Sequence, residues 1–325
     1  MEDNMNFVIK LSILIVIILI FPFYVYGQIV FGEHGKWKTT FDYGPCSQRG
    51  VGGETNCDHV QNDGVAWSWG GGVGPGNTYT QATPDANYPG GGGGMGARFW
   101  NYDGHNSLSG PIRISFPAPQ KEIWVRWYMR FQEGFRWNTG TGHNNENPPF
   151  TEHRIHFNKT FIIRTGAAGA DVVPYLNNAF RFRTQGGLTT STNFSGGGWD
   201  DSMGPGLSDG EWYCFEFYMK MNSSVGSADG IGRWWVNGVL YGEADNIRWD
   251  NANSTSHQGW TWMDFNNNQS RVENINGPIG LNYAYIDYDD MVIYNQTPPN
   301  SDEHGNPFIG PLPPAPPWGL SIDVQ

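Results

Sequence analysis

EWYCFEFYMKMN, from Glu211 to Asn222, reads as one strand of a two-sided sheet. Side chains of an extended chain point alternately to opposite faces. Tyr213, Phe215, Phe217 and Met219 therefore share one face, and Trp212, Cys214, Glu216, Tyr218 and Lys220 the other. The same period of two recurs in IWVRWYMRF (Ile123 to Phe131), HRIHFNKTFIIR (His153 to Arg164) and NAFRFRT (Asn178 to Thr184). It returns in GRWWVNGVLYG (Gly232 to Gly242) and YIDYDDMVIYNQ (Tyr285 to Gln296). Gly, Asn, Asp and Pro separate these runs, no helix is predicted after residue 27, and no internal repeat is present. Many short strands at such spacing predict an all-β sandwich or barrel.

Composition agrees. Charged residues make up 15% of the 325-residue chain, aromatics another 15%, and there are 45 glycines. Few charges, many rings and frequent Gly describe strands joined by tight turns. The net charge of -12 excludes nucleic acid and anionic membrane as partners, since either requires a basic field.

The first 27 residues speak to the compartment. Lys10 precedes the apolar run LSILIVIILIFPFYVYG, which closes on Gly27. A basic residue, an apolar stretch and small residues at the cut form a secretory signal. Val25 and Gly27 occupy positions three and one before cleavage, leaving Gln28 as the mature N-terminus. Initiation at Met5 would give the more basic opening MNFVIK. The competing reading is an uncleaved anchor, because about 20 apolar residues span a bilayer. The signal reading predicts a secreted or periplasmic protein: signal 1–27, sandwich 28–297 and a Pro-rich tail 298–325, either a linker or a final strand.

Cys46 and Cys57 share a polar, Gly-rich loop and are expected to form a local disulfide outside the cytoplasm. Asp58 and His59 leave a metal site as the alternative there. Cys214, inside an apolar strand, is expected to be a buried free thiol. The YPGGGGGMG stretch (Tyr88 to Gly96) lacks the helix and Lys of a phosphate-binding loop and reads as a flexible turn.

Alternation also assigns the outer faces. Ile123, Val125, Trp127, Met129 and Phe131 are apolar and predicted to face the core, leaving Trp124, Arg126, Tyr128 and Arg130 toward water. Arg154, His156 and Asn158 oppose His153, Ile155 and Phe157, while Arg181 and Arg183 oppose Phe180 and Phe182. An acidic chain that places five Arg outward is expected to build a local basic field among aromatic rings. Guanidinium groups pair with carboxylates or sulfates, and flat rings offer apolar surface to sugars. The plainer alternative is that these Arg pair with the chain's own Asp and Glu across strands.

The segments IWVRWYMRFQEGF, HRIHF, EWYCFEFYMKMN with the following WVNG, and YIDYDDMVIYNQ resemble the concanavalin A-like lectin/glucanase superfamily. Within it, they are most similar to jelly-roll polysaccharide lyases of the alginate and glucuronan lyase kind. The resemblance spans roughly Phe99 to Gln296 and implies a jelly-roll β-sandwich of two antiparallel sheets. It implies β-elimination on an acidic polysaccharide, with Arg126 or Arg130 holding the uronate carboxylate, His156 as base, and Tyr128 or Tyr218 as acid. Trp124, Arg154, Asn158, Arg181, Arg183, Glu216 and Lys220 would line the substrate. Arg154 stands where the family carries an amide two positions before the His. The resemblance also implies a structural calcium at Asp290, with Asp287 and Asp289 as further oxygen donors.

Other hydrolase classes lack their motifs: no ExDxxE carboxylate pair and no HExxH occurs. The competing function is a non-catalytic glycan-binding or cell-surface sandwich. Six Asn-x-Ser/Thr sequons, at Asn158, Asn193, Asn222, Asn253, Asn268 and Asn295, are acceptors only in a glycosylating host.

Overall fold

The computed structural model describes residues 27–49, 61–67, 78–102, 112–137, 159–165, 168–174, 180–185, 210–249, 255–267, 272–274 and 283–312. Helical geometry among them is confined to short 3-10 turns, and no helix there is long and apolar enough to cross a membrane. Residues 1–26 of the signal segment lie outside the described residues.

The chain builds an all-β sandwich of two antiparallel sheets. The larger has nine strands. From one edge it runs β14 (Val239–Ile247), β13 (Gly230–Val236), β12 (Trp212–Lys220), β7 (Glu122–Phe131), β17 (Tyr283–Tyr294), β5 (Gly96–Tyr102), β4 (Thr78–Thr83) and β2 (Cys46–Arg49). A ninth strand, β1 (Lys36–Thr39), pairs with the second half of β17. The smaller sheet is β11 (Phe180–Gln185), β10 (Ala168–Pro174), β9 (Lys159–Thr165), β15 (Trp260–Asn267), β6 (Ile112–Gln120) and β3 (Ala66–Trp67). Two short ribbons complete the described strands, β8 (Phe135–Trp137) with β16 (Val272–Asn274) and β18 (Asn300–Ser301) with β19 (Pro307–Phe308).

The apolar faces meet as alternation requires. Ile123, Val125, Trp127, Met129 and Phe131 from β7, and Phe215, Phe217 and Met219 from β12, share one core with Ile112, Ile114, Met263 and Phe265 of the smaller sheet. Trp127 joins the layers, its ring 5.1 Å from Phe265 and 5.4 Å from Phe217. Each large apolar side chain so buried stabilises by about 1.5–3 kcal/mol.

Two sequence readings change. GRWWVNGVLYG is a hairpin, not one strand: Asn237 and Gly238 take φ of 51° and 82° between β13 and β14. Two consecutive positive φ values are what a two-residue hairpin of this hand demands, and Asn-Gly meets them at least cost. The glycine-rich segment is a packed cover. Its Gly91 lies against Asp290, where β17 bulges between Asp289 and Val292. The bulge lets β17 pair with β5 through Tyr283–Tyr288 and with β1 through Met291–Tyr294.

The turn after β12 is braced by Asn222, which is 2% exposed: its Nδ2 donates to Ser224 O and its Oδ1 accepts from Trp249 N.

The Pro-rich tail is part of the body as far as it is described. Residues 298–312 cross the outer face of the larger sheet as a strap. The β18–β19 ribbon is closed by Asp302, whose oxygens accept from His304 N, Asn306 N and Asn306 Nδ2. Ile309 completes a second apolar cluster with Trp124, Tyr218, Trp235, Val292 and Tyr294, with Phe308 packed against it.

Candidate functional site

The residues expected to form one solvent-facing basic surface are divided between two sheets. Arg126 and Arg130 stand on β7 of the larger sheet, and Arg181 and Arg183 on β11 of the smaller. Arg154, His156 and Asn158 lie outside the described residues. The two sheets meet through the shared core, so their outer faces look in opposite directions.

On the larger sheet the expected open face is closed. Trp124, Arg126, Tyr128, Glu216 and Tyr218 are each 5% exposed or less. The strap covers them because alternating backbone groups find a side chain at each step. Trp124 Nε1 donates to Pro307 O at 3.0 Å, and Arg126 Nη1 to Gly310 O at 3.1 Å. Glu216 accepts from Ile309 N at 2.5 Å and from Gly310 N at 2.9 Å, and Tyr128 OH accepts from Leu312 N at 2.6 Å. Arg126 Nη2 also reaches Asp290 O. Burial pushes the Glu216 carboxyl up to about 7, against the opposing pull of the two amides and Arg126. Burial likewise raises the Tyr128 and Tyr218 hydroxyls, the latter also donating to Glu122 Oε1. These residues are the seat of the strap. Lys220, at the exposed end of β12, stands 4.0 Å from Glu122.

Beyond the strap, the same face carries a clamp that single-strand reading could not assemble. The strand register sets Trp212, Arg130, Asp287, Arg98 and Gln81 side by side across β12, β7, β17, β5 and β4. Asp287 is fully buried and accepts from Arg98 Nε at 2.8 Å and Arg130 Nη2 at 2.6 Å. Arg98 lies 3.7 Å over the Tyr285 ring and Arg130 4.8 Å over Trp212. Here the plainer expectation for outward Arg holds: Arg130 pairs with an internal carboxylate.

This clamp also bears on the calcium expectation. Asp287 is occupied by two guanidinium groups. Asp289 accepts from Tyr88 N and Asp290 N, and its carboxyl is pushed up to about 8 chiefly by burial. Asp290 accepts from Gly92 N through Oδ1, leaving Oδ2 without a hydrogen-bond partner. No three His, Cys, Asp or Glu among the described residues converge as metal ligands. The three carboxylates do not fit a shared calcium site.

Cys214 is free and buried, as expected, and burial pushes its thiol up to about 12. Cys57 lies outside the described residues, so its pairing with Cys46 stays a proposal.

The outer face of the smaller sheet is the remaining candidate surface. Arg113 on β6 donates to Asp264 on β15 through Nε at 2.7 Å and Nη2 at 2.8 Å. The Arg113 guanidinium lies 4.3 Å over the Trp262 ring. Arg113 alternates with core-facing Ile112 and Ile114, and Trp262 and Asp264 with Met263 and Phe265. In register, one row across this sheet runs Arg183, Asp171, Ile162, Asp264, Arg113. The next row runs Gln185, Gly169, Arg164, Trp262, Ser115. Arg113 and Arg183 thus stand at the two ends of the first row, four strands apart and each directly opposite an Asp, with Arg164 in the next row beside Trp262 and Arg181 two residues along β11. The sequence reading identified Arg181 and Arg183 but missed Arg113, Trp262 and Asp264. The alternation in IRISF and WTWMDF was the available signal.

No family model matches the chain, and no curated protein does. Solved structures of similar fold include alginate lyase Aly36B in complex with alginate trisaccharide, 13% identical, TM-score 0.45, covering 81% of this chain and 99% of that one. The endo-β-1,4-glucuronan lyase of the fungus Trichoderma reesei is 10% identical, TM-score 0.41, covering 73% and 93%. The marine PL-14 alginate lyase of Aplysia kurodai is 13% identical, TM-score 0.39, covering 78% and 98%. At these values the likeness assigns no residue a role.

Proposed function

We propose that the chain is a secreted carbohydrate-active protein, a polysaccharide lyase that cleaves a uronate-containing polymer by β-elimination on the outer face of its smaller sheet. One observation carries the choice of face: Arg164 is the register partner of Trp262, with Arg113 and Arg183 in the adjoining row, while the strap covers Arg126, Tyr128 and Glu216 on the opposite sheet. Guanidinium groups there would neutralise the substrate carboxylate and acidify the C5–H beside it. By sequence alternation alone, Asn158 and His156 fall in one period-two set with Arg164. His156 is then the base: it takes the C5 proton, a C4–C5 double bond forms, and the C4–O bond breaks. The departing oxygen takes a proton from an acid of this same face. Tyr128 and Tyr218 are released from that role, because their hydroxyls serve Leu312 N and Glu122. The carboxylate-holding role likewise passes from Arg126 and Arg130 to the Arg of this sheet.

The second reading is a glycan-binding module using the same face. The Arg113–Asp264 pair favours it, since a neutralised guanidinium orients a ligand more readily than it polarises one.

The two part in one assay. The purified protein should release an unsaturated uronate end that absorbs in the ultraviolet, and His156→Ala should abolish the signal with retention on the polymer nearly intact. Retention without absorbance on any polyuronate supports the module instead.

A further inference from the structure

The strap seat is a groove for an extended peptide, and its contacts are of a kind that any identical segment can make. Trp124, Arg126, Tyr128 and Glu216 read main-chain atoms of residues 307–312, while Phe308 and Ile309 supply the apolar anchors. Trp235 adds one bond, from Nε1 to Asp302 Oδ2 at 2.9 Å. None of these contacts depends on how the strap is joined to β17. The link is Asn295 to Pro299, and its adjacent prolines, Pro298 and Pro299, hold it extended. The strap is locally self-contained, since the β18–β19 ribbon closes on Asp302.

The seat is also unsuited to standing empty. Without the strap it would bare Trp124, Tyr218 and Trp235 together with Glu216, all buried at present. Parting the strap from its own sheet exposes two complementary surfaces on one molecule, and the ready occupant of each is its counterpart on another.

We propose that the outer face of the larger sheet is an interaction surface for a second copy of this chain, through reciprocal exchange of residues 300–312. Exchange reproduces every seat contact and changes only the link, the condition under which domain swapping is inexpensive. The closed monomer dominates in dilute solution, because a short tether gives the resident strap an effective concentration on the order of mM.

Shortening the link tests this. Removing the exposed Gln296 and Thr297 should prevent the strap from reaching its own seat while leaving a partner's seat reachable. The mass by light scattering should double, with the Ile309 and Gly310 amides still protected from hydrogen exchange. A monomer at every concentration overturns the proposal. Should the shortened chain fail to fold, the intact chain decides. Isotopically heavy and light protein, mixed at about 1 mM, should give mixed dimers by native mass spectrometry, lost on Ile309→Asp. No mixed dimer, or one that survives Ile309→Asp, overturns it.

Discussion

Gly91 packs against Asp290 so closely that a β-carbon on Gly91 would overlap the Asp290 carboxylate. Asp290 has no easy retreat: it sits in the β17 bulge at a φ of 43°, is 7% exposed, and its backbone oxygen is held by Arg126. Three residues along the same loop, Gly94 has nothing within 4 Å of the corresponding position.

This contrast makes a paired prediction. Gly91→Ala should destabilise the fold by about 1–3 kcal/mol, the usual cost of overpacking. Gly94→Ala should be near neutral. Urea unfolding midpoints of the two variants test it, and equal midpoints would remove the cover role assigned to the loop.

The Asp287 clamp gives a second. Asp287→Asn leaves Arg98 and Arg130 facing each other with no anion between them, and breaking a buried pair costs about 3–5 kcal/mol. Arg233 and Glu243 form an outer-edge pair, with Glu243 43% exposed in its side chain, so Glu243→Gln should cost under about 1 kcal/mol. Comparable losses for both would mean that the clamp is not acting as a buried ion pair.

Stability should fall as pH rises across neutrality. Burial lifts Glu216 to about 7 and Asp289 to about 8, above the ordinary values of 4.5 and 3.8. A carboxyl whose folded pKa is raised binds its proton more tightly in the folded chain. Its contribution is therefore complete below the unfolded pKa and is lost as pH climbs through the folded one. Melting temperature should decline between about pH 5 and pH 8, with Glu216→Gln flattening part of the slope. A rise over that interval would show that the two strap amides and Arg126 outweigh desolvation at Glu216.

Processing and redox state form the fourth. The exported product should begin at Gln28, with Cys46 and Cys57 oxidised together and Cys214 reduced. Intact mass and non-reducing peptide maps check both, and a bridge to Cys214 would contradict its burial in β12.

Much of the sandwich was legible along single strands. Period two separated Phe215 and Phe217 from Glu216 and Tyr218, and the core follows that division. Which outer face meets water was not legible, because alternation reports only that two faces differ. Glu216 and Arg126 read as surface charges until Ile309 and Gly310 arrive from some ninety residues or more downstream to bury them. Sheet membership was equally hidden: Arg126 and Arg183 look alike in sequence, and only pairing order sends them to opposite sides. The Arg113–Asp264 pair joins positions 151 residues apart, a distance no local pattern spans.

Asn222 carries a consequence for manufacture of the molecule. It heads the sequon Asn-Ser-Ser, yet its amide is spent on Ser224 and Trp249 inside the fold. In a host that attaches glycans to nascent chains, a sugar on that nitrogen would have to be housed where Asn222 is 2% exposed. A chain modified there cannot close this turn, so the timing of collapse around Trp249 against the passage of the transferase sets the yield of folded product.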